Sequence, residues 1–406
     1  MSSVGNLPPA TPAFILRGHT APVHALQFYK QNAFLVSGDS EGWIVVWRLA
    51  SKRPAACWQG HRGSVLGIKV WENSVITHGR DHKLRAWQVT EASLEGDTLD
   101  ARLPAEEEGR HGTEREQPWL LHSMDVSALN FCAFAICIAS NAGSAEDAEC
   151  QAIIAAPNAL DSGGIDFFHL PSERRVSVLP ADPQVKTGMV MALDLFHQPE
   201  TRLLTVVSGY EDGRTMVHQR KPMASLEENW KWEMILVSRP HSQPVLSLDT
   251  LPSKDFYFTS SADAVIGKLA IPTSNFDSDK NIKPVKTNNT KHAGQQDLTV
   301  RNDGKIFATA GWDARIRIYS TKTLEELAVL KWHQDGCYSV AYADTLSLGL
   351  HEMPSEAGQD QALLASRDST NSALEVIRQQ RSLKAQMTHW LAAGGKDGKI
   401  SLWDIY

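Results

Sequence analysis

The 406-residue chain has only five cysteines, at positions 57, 132, 137, 150 and 337, and no two are spaced as a paired framework. That excludes a disulfide-stapled secreted scaffold and fits a reducing compartment. Cys132 and Cys137 lie close together, but no second Cys/His pair follows them, so no zinc site is spelled. Positive charge is short as well. The net charge is −7, and Lys280, Lys283, Lys286 and Lys291 are dispersed. This disfavours a nucleic-acid binder that relies on a broad basic surface, and no dense basic cluster separates nucleus from cytosol. The longest apolar run, around Phe131–Ala139, is far shorter than the roughly 20 residues a membrane helix needs. The opening MSSVGNLPPATPAF has neither the basic nor the apolar region of a signal peptide. An intracellular protein, nuclear and/or cytoplasmic and not secreted, is therefore expected. No Walker or dinucleotide-binding glycine motif is present, so no cofactor is expected.

Hydrophobic residues make up 42% of the chain and charged residues 21%, which excludes wholesale disorder. Length alone would suggest two or three domains of about 150 residues each. A repeat overrides that prior. Residues 18–48 read GHTAPVHALQFYKQNAFLVSGDSEGWIVVWR, and residues 60–88 read GHRGSVLGIKVWENSVITHGRDHKLRAWQ. Each has Gly-His, an alternating apolar run, a hydroxyl residue, an acid and a tryptophan. The pattern resembles the WD40 repeat.

An acid six positions before an aromatic recurs as Glu41/Trp47, Asp81/Trp87, Asp161/Phe167, Asp313/Tyr319 and Asp397/Trp403. It is degraded at Asp212/His218 and Asp263/Leu269. The opening half recurs at His19, His61, His122, His241, His292 and His333, with Lys186 in the histidine's place in the fourth copy. The fold expected is thus all-β: a single seven-bladed WD40 β-propeller over residues 13–406, with 1–12 a Pro-rich N-terminal extension. The chain reaches SLWDIY, the third strand of the last unit, and AFILR at 13–17 is placed to supply that unit's fourth strand. Closure of this kind removes open sheet edges.

Ser, His and Asp in one repeat resemble a hydrolase triad, but an active site is built once and this set recurs. The residues His19, Ser37, Glu41 and Trp47, and His61, Thr77, Asp81 and Trp87, form the two complete sets, and a structural hydrogen-bond network is the expected role. Pro157 and Ala393 stand where the hydroxyl belongs in blades three and seven, which are expected to lean on packing. Gly38-Asp39-Ser40-Glu41-Gly42 matches the G-x-S-x-G elbow but lies between two strand-like runs, so it reads as a hairpin turn. Asp277 to Asn281 opens like an EF-hand loop, but Ile282 and Asn288 replace the residues calcium requires. No metal site and no catalytic residue are expected.

Insertions are expected at 91–117, 139–150, 272–290 and 344–388, all emerging on the face opposite the Gly-His loops. The first is charged and poor in large apolar residues, which reads as mobile. Within the last, Ser372-Ala373-Leu374-Glu375 reads as a capping box opening a short helix over 372–387, which either packs beneath the propeller or docks a partner. On the Gly-His face, the residues just before the turn acid are Ser40, Arg80, Leu160, Glu211, Ala262, Trp312 and Lys396. Of these, Arg80, Glu211, Trp312 and Lys396 are the candidate partner-binding residues, Trp312 with Arg80 being the most anchor-like pair.

The motifs ILRGHTAPVHAL, GDSEGWIVVWRL, HGRDHKLRAWQ and AAGGKDGKISLWDIY together resemble the fungal ASTRA-associated protein 1 family, related to the guanine nucleotide-binding protein β-subunit-like protein 1 of animals. The resemblance implies a non-catalytic adaptor of the ASTRA assembly. It also implies association with the Tel2–Tti1–Tti2 cochaperone in maturation of phosphatidylinositol 3-kinase-related kinases, and a link to chromatin remodelling. A monomeric propeller inside a larger hetero-complex, without direct contact to nucleic acid or membrane, follows from it. Other readings are a histone-binding or different WD40 adaptor, using acidic pockets or the Glu106–Glu108 run, and a hydrolase built on Ser40. A G-protein β subunit is disfavoured because only about twelve Pro-rich residues precede the first strand, too few for a coiled-coil helix. A ubiquitin-ligase receptor is disfavoured because Trp403-Asp404-Ile405-Tyr406 lacks the Trp-Asp-x-Arg ending.

Overall fold

In the computed structural model, residues 10–405 are described except 97, 107–114, 129–131, 140–150, 222–229, 273–279 and 347–369. Seven four-stranded antiparallel sheets form a ring. From inner to outer strand, blades one to six span residues 23–59, 65–125, 135–179, 190–238, 245–289 and 295–331. Blade seven takes its three inner strands from 337–404 and its outermost strand, Phe14–Leu16, from the start of the chain. Phe14, Ile15 and Leu16 pair with Leu402, Ser401 and Ile400. Leu16 is 1% exposed in the cluster that joins blades seven and one, beside Trp47, Trp390 and Leu402. The seam is therefore sealed by strand pairing and by apolar burial together.

In six blades the register of the innermost strand slips at its second residue, as between Val23 and Ala25 or Gln295 and Asp297. Such a bulge bends the strand and redirects one side chain. The redirected residues include His24, Gln296 and Tyr338, which line the central channel, a cavity of about 230 Å³.

Three expectations about strands are corrected. His122 opens no blade: it lies in the outermost strand of blade two, Trp119–Asp125, with Nδ1 2.8 Å from Glu173, and blade three begins at Ala135. The aromatic of the third strand in blade three is Phe168, not Phe167. The register slip that precedes Trp47, Trp87 and Tyr319 falls between Phe167 and Phe168, because the hairpin there is longer by two residues, one before and one after the acid Asp161. The range 272–290 is not all insertion, since Lys286–Asn289 is the outermost strand of blade five.

The insertions join first to second strands or third to fourth strands. The loop expected at 139–150 lies almost wholly outside the described residues. The one after blade two's third strand is ordered over much of its length, contrary to its charged composition. It begins with a short helix, α1 (Glu91–Glu95), whose N-cap Thr90 closes a capping box with Ser93. Its one large apolar residue, Leu94, is buried, and the Leu94 carbonyl accepts from the Arg48 guanidinium. The chain then runs along the outer edge of blade one, where the Cys57 N–H donates to the Asp100 carbonyl at 2.6 Å. It ends against the opposite face, where the Ala105 N–H donates to the Gly18 carbonyl at 3.1 Å. Gly18, at φ +156°, has no room for a side chain, because a Cβ would sit 2.6 Å from Leu103.

The last insertion carries helix α2 (Thr370–Met387). It starts two residues before Ser372, which is therefore inside the helix and not its cap. Asn32 of blade one fastens both ends of the insertion: its amide donates to the carbonyls of Asp344 (2.8 Å) and Gln386 (3.0 Å) and accepts from the Asp344 N–H (2.9 Å). Among the described side chains of α2 (375–387), the one buried in the core is Ala385 in the C-terminal turn, while Val376, Ile377 and Leu383 are exposed. No described helix is long and apolar enough to cross a membrane.

Candidate interaction surface

The recurring polar residues sit between strands, out of reach of any large ligand. In blade two, Trp87 donates to Thr77 (3.0 Å), and Thr77 and Asp81 hold Nε2 and Nδ1 of His61 at 2.8 Å each. Burial pushes the His61 pKa down despite the neighbouring Asp81. Burial opposes ionisation of Asp81 too, but hydrogen bonds from His61 and Arg85 win and hold its carboxyl well below the usual range. Each polar atom is thus satisfied, which is what keeps such a group in a core.

Blade one corrects one member of its set. His19 Nδ1 lies 2.7 Å from Asp39, the last residue of the second strand, and not from Glu41. Nε2 is 2.7 Å from Ser37, which also accepts from Trp47 at 2.8 Å. Glu41 is exposed and accepts only a long bond from the Thr20 hydroxyl, 3.4 Å. An acid at position 39 reaches the ring from the strand itself, so the turn acid is released to solvent.

The other blades solve the same problem with different residues. In blade five, His241 has Thr259 (2.8 Å) and Asp263 (3.2 Å) without any tryptophan. In blade six the histidine falls one residue late, at His292, and is half exposed. Gln295 takes its place and accepts from Thr309 at 2.6 Å, while Asp313 is clamped by two bonds from Arg317. Blade seven does not lean on packing alone: Ser401 supplies the hydroxyl that Ala393 lacks, 2.9 Å from His333 Nε2, and accepts from Trp403.

Around the channel mouth on the Gly-His face the arrangement is different, because the side chains are accessible. His24 and Tyr338 stack at 5.1 Å. Burial, and to a lesser extent Arg80, lowers the His24 pKa against the pull of Asp39. Trp312 is 48% exposed. Its ring lies on the backbone of Gly294, φ +75°, where a Cβ would meet the indole at 2.1 Å. Its Nε1 donates to Gln296 at 2.8 Å. An exposed indole held from below and from its edge is pre-positioned, so little side-chain freedom remains to be lost on binding.

The four candidate residues do not form one patch. Arg80, Glu211, Trp312 and Lys396 lie on blades two, four, six and seven, all exposed at the same face. Lys396 neighbours Trp312 by blade order, and the anchor-like pair therefore becomes Trp312 with Lys396, whereas Arg80 is across the ring. Sequence reasoning missed His24, Gln296 and Tyr338. The signal was present, since each follows the first residue of an inner strand, but only the bulge turns it inward. Gly38–Gly42 is a hairpin turn between strands Phe34–Asp39 and Trp43–Arg48, which leaves no strand-to-helix elbow for Ser40.

Seven sheets closed by the first strand, with histidine, hydroxyl and carboxylate clamps inside the blades, define a WD40-type β-propeller. Residues 12–403 match the family described as ASTRA-associated protein 1. The chain is 50% identical to ASTRA-associated protein 1 of Aspergillus niger and 48% identical to that of Penicillium rubens, each over 98% of both chains. It is 31% identical to that of Schizosaccharomyces pombe over 82% of this chain and 93% of the relative. The chain belongs to the ASTRA-associated protein 1 family.

Proposed function

We propose that this propeller is a non-catalytic interaction scaffold, a subunit of an ASTRA assembly that acts with the Tel2–Tti1–Tti2 cochaperone in maturation of phosphatidylinositol 3-kinase-related kinases. The carrying observation is family membership over nearly the whole chain, in relatives named for association with ASTRA. The fold supports it: the polar triads are consumed by cross-strand bonding, and what the ring offers outward is a rigid rim. Residues Arg80, Glu211, Trp312 and Lys396 are the proposed partner contacts, the Trp312–Lys396 sector foremost. A nuclear or cytoplasmic location and a link to chromatin remodelling belong to the same reading.

The test is affinity capture of the tagged full-length protein followed by mass spectrometry of its partners. Recovery of the cochaperone subunits is expected. Trp312→Ala with Lys396→Glu is expected to lower that recovery at least fivefold with an unchanged melting temperature. Val376→Asp with Leu383→Asp probes the exposed side of α2 on the other face. Full recovery with the rim variant and loss with the helix variant would move the interface there, and absence of those subunits from the wild-type capture would reject the assembly reading.

A further inference from the structure

Each blade ends in an outer strand whose far side pairs with no further strand of its sheet. Such an edge offers N–H and C=O groups to any extended chain, and proteins blunt it with charge, proline, shortness or a cover. Six of the outer strands are blunted in these ways. Blade one's holds Arg53 and Pro54, and blade three's opens with Arg174 and Arg175. Blade five's reads KTNN, blade six's is bounded by Glu326 and Lys331, and blade seven's is three residues long. Blade four's is covered by residues 280–282. Blade two's, Trp119–Asp125, reads WLLHSMD, with no proline and no charge before its last residue. Trp119 is 74% exposed, Leu120 41% and Leu121 39%.

Where this molecule covers an edge, it does so at one position of the ladder. In blades one, two and four the pairing of third and outer strands slips, leaving Ala55, Leu121 and Ile235 as the extra residue. Two residues further on stand Cys57, Ser123 and Val237, opposite Val45, Arg85 and Met216. They are thus in register with the hydroxyls of Ser37, Thr77 and Ser208. The Cys57 N–H donates outward to the Asp100 carbonyl at 2.6 Å. The Val237 N–H donates to the Lys280 carbonyl at 2.8 Å, and its carbonyl accepts from the Ile282 N–H at 3.0 Å. Ser123 holds the same place, is exposed, and makes no such bond among the described residues.

We propose that this edge docks an extended segment of a partner polypeptide, which adds to blade two as a fifth strand. Its backbone accepts from the Ser123 N–H, as Asp100 and Lys280 do in the sister blades. Its apolar side chains, at alternate positions, cover Trp119, Leu120 and Leu121. Strand addition draws affinity from main-chain bonds and specificity from alternate side chains. An apolar patch alone would take any greasy group, whereas a bare ladder position that two sister blades fill with backbone takes a chain. The segment leading into the strand, 107–114, reads EEGRHGTE and has no apolar side chain for that cover. The surface lies on the circumference, apart from both faces. It goes beyond the assembly reading and stands whether or not the cochaperone is the partner.

The experiment is calorimetric titration of the full-length protein with the capped peptide acetyl-Lys-Val-Thr-Ile-Thr-Val-Lys-amide. Binding is expected, and the peptide with Pro for Ile is expected to bind at least tenfold more weakly. Ser123→Pro removes the outward N–H, a change that an edge strand tolerates. It is expected to abolish binding with an unchanged melting temperature. Leu120→Lys with Leu121→Lys charges the edge without touching the core, and is expected to weaken binding at least tenfold. Hydrogen exchange at the Ser123 amide is expected to slow at least tenfold when the peptide is bound. Failure of the wild type to bind the peptide, or undiminished binding by either folded variant, overturns the docking edge. Equal binding of the proline peptide shows adsorption to Trp119 and overturns strand addition. Dimerisation of the peptide-free protein in sedimentation velocity, abolished by Ser123→Pro, makes a second copy the occupant and overturns the partner.

Discussion

Ser401 lies directly opposite Ala393 in blade seven, and its hydroxyl reaches His333 Nε2 at 2.9 Å. The position that carries Ser37 or Thr77 on the second strand has moved across the ladder to the third. Both sites point to the same side of the sheet, so one hydroxyl serves as well as the other. Ser401→Ala is expected to cost about 1–3 kcal/mol, because His333 and Trp403 would both lose a partner. Urea unfolding measures it, and a change below 0.5 kcal/mol, roughly the scatter of neutral surface substitutions, would contradict the assignment.

Asp39 and Glu41 are two residues apart, yet only one is buried against a histidine. Asp39→Ala should destabilise by about 2–3 kcal/mol, leaving His19 Nδ1 unpaired in the core. Glu41→Ala should change stability by less than about 0.5 kcal/mol, as expected at an exposed site. The two melting temperatures, measured side by side, decide which acid belongs to the network.

Asp249 faces the channel, where burial first and the charge of Asp194 second raise its pKa to about 6, with Lys254 and Lys69 opposing. The fold therefore favours the protonated acid, whereas the unfolded chain releases that proton near pH 4. Above pH 6 the ionised form carries its full penalty, and the penalty is relieved as the pH falls from 6 toward 4. Asp249→Asn is neutral at every pH. Its stability relative to the parent should be about 1–3 kcal/mol more favourable at pH 7.5 than at pH 4.5. A pH-independent difference would show that the carboxyl titrates normally.

Leu16 is the buried residue of the closing strand. Leu16→Ala should cost about 2–4 kcal/mol by cavity formation between blades seven and one. Deleting residues 1–17 should add self-association, because it bares the edge of Ile400–Asp404. Sedimentation velocity separates the two effects, and a monomeric deletion variant would show that the edge is protected otherwise.

Blade number, closure and the internal role of the histidines were legible because each rests on a local motif repeated along the chain. Blade two matches its motif residue by residue. Errors arose where one residue was inserted or moved. The longer turn before Phe168 shifted blade three by one, Ser401 changed strands, and Asp39 acted from a strand where a turn acid was expected. His122 misled for a related reason: His-Ser followed by an apolar run is common in any edge strand, and only pairing distinguishes an outer strand from an inner one. The ordered path of residues 98–106 was not legible, since its anchors are backbone bonds to Cys57 and Gly18, which composition does not encode. The channel-mouth residues His24, Gln296 and Tyr338 share one position, after the first residue of an inner strand, but the bulge that turns them inward follows from pairing and not from that position alone.

The strap from blade two reaches the very segment that closes the ring. Gly18 is held by Leu103 and Ala105, and two residues earlier Leu16 begins the pairing with blade seven. During synthesis from the N-terminus, residues 100–106 emerge about 300 residues before Ile400–Leu402. The tail can therefore be tethered at blade one long before its final partner exists. A tethered end searches a smaller volume than a free one, which shortens the last and most distant step of assembly.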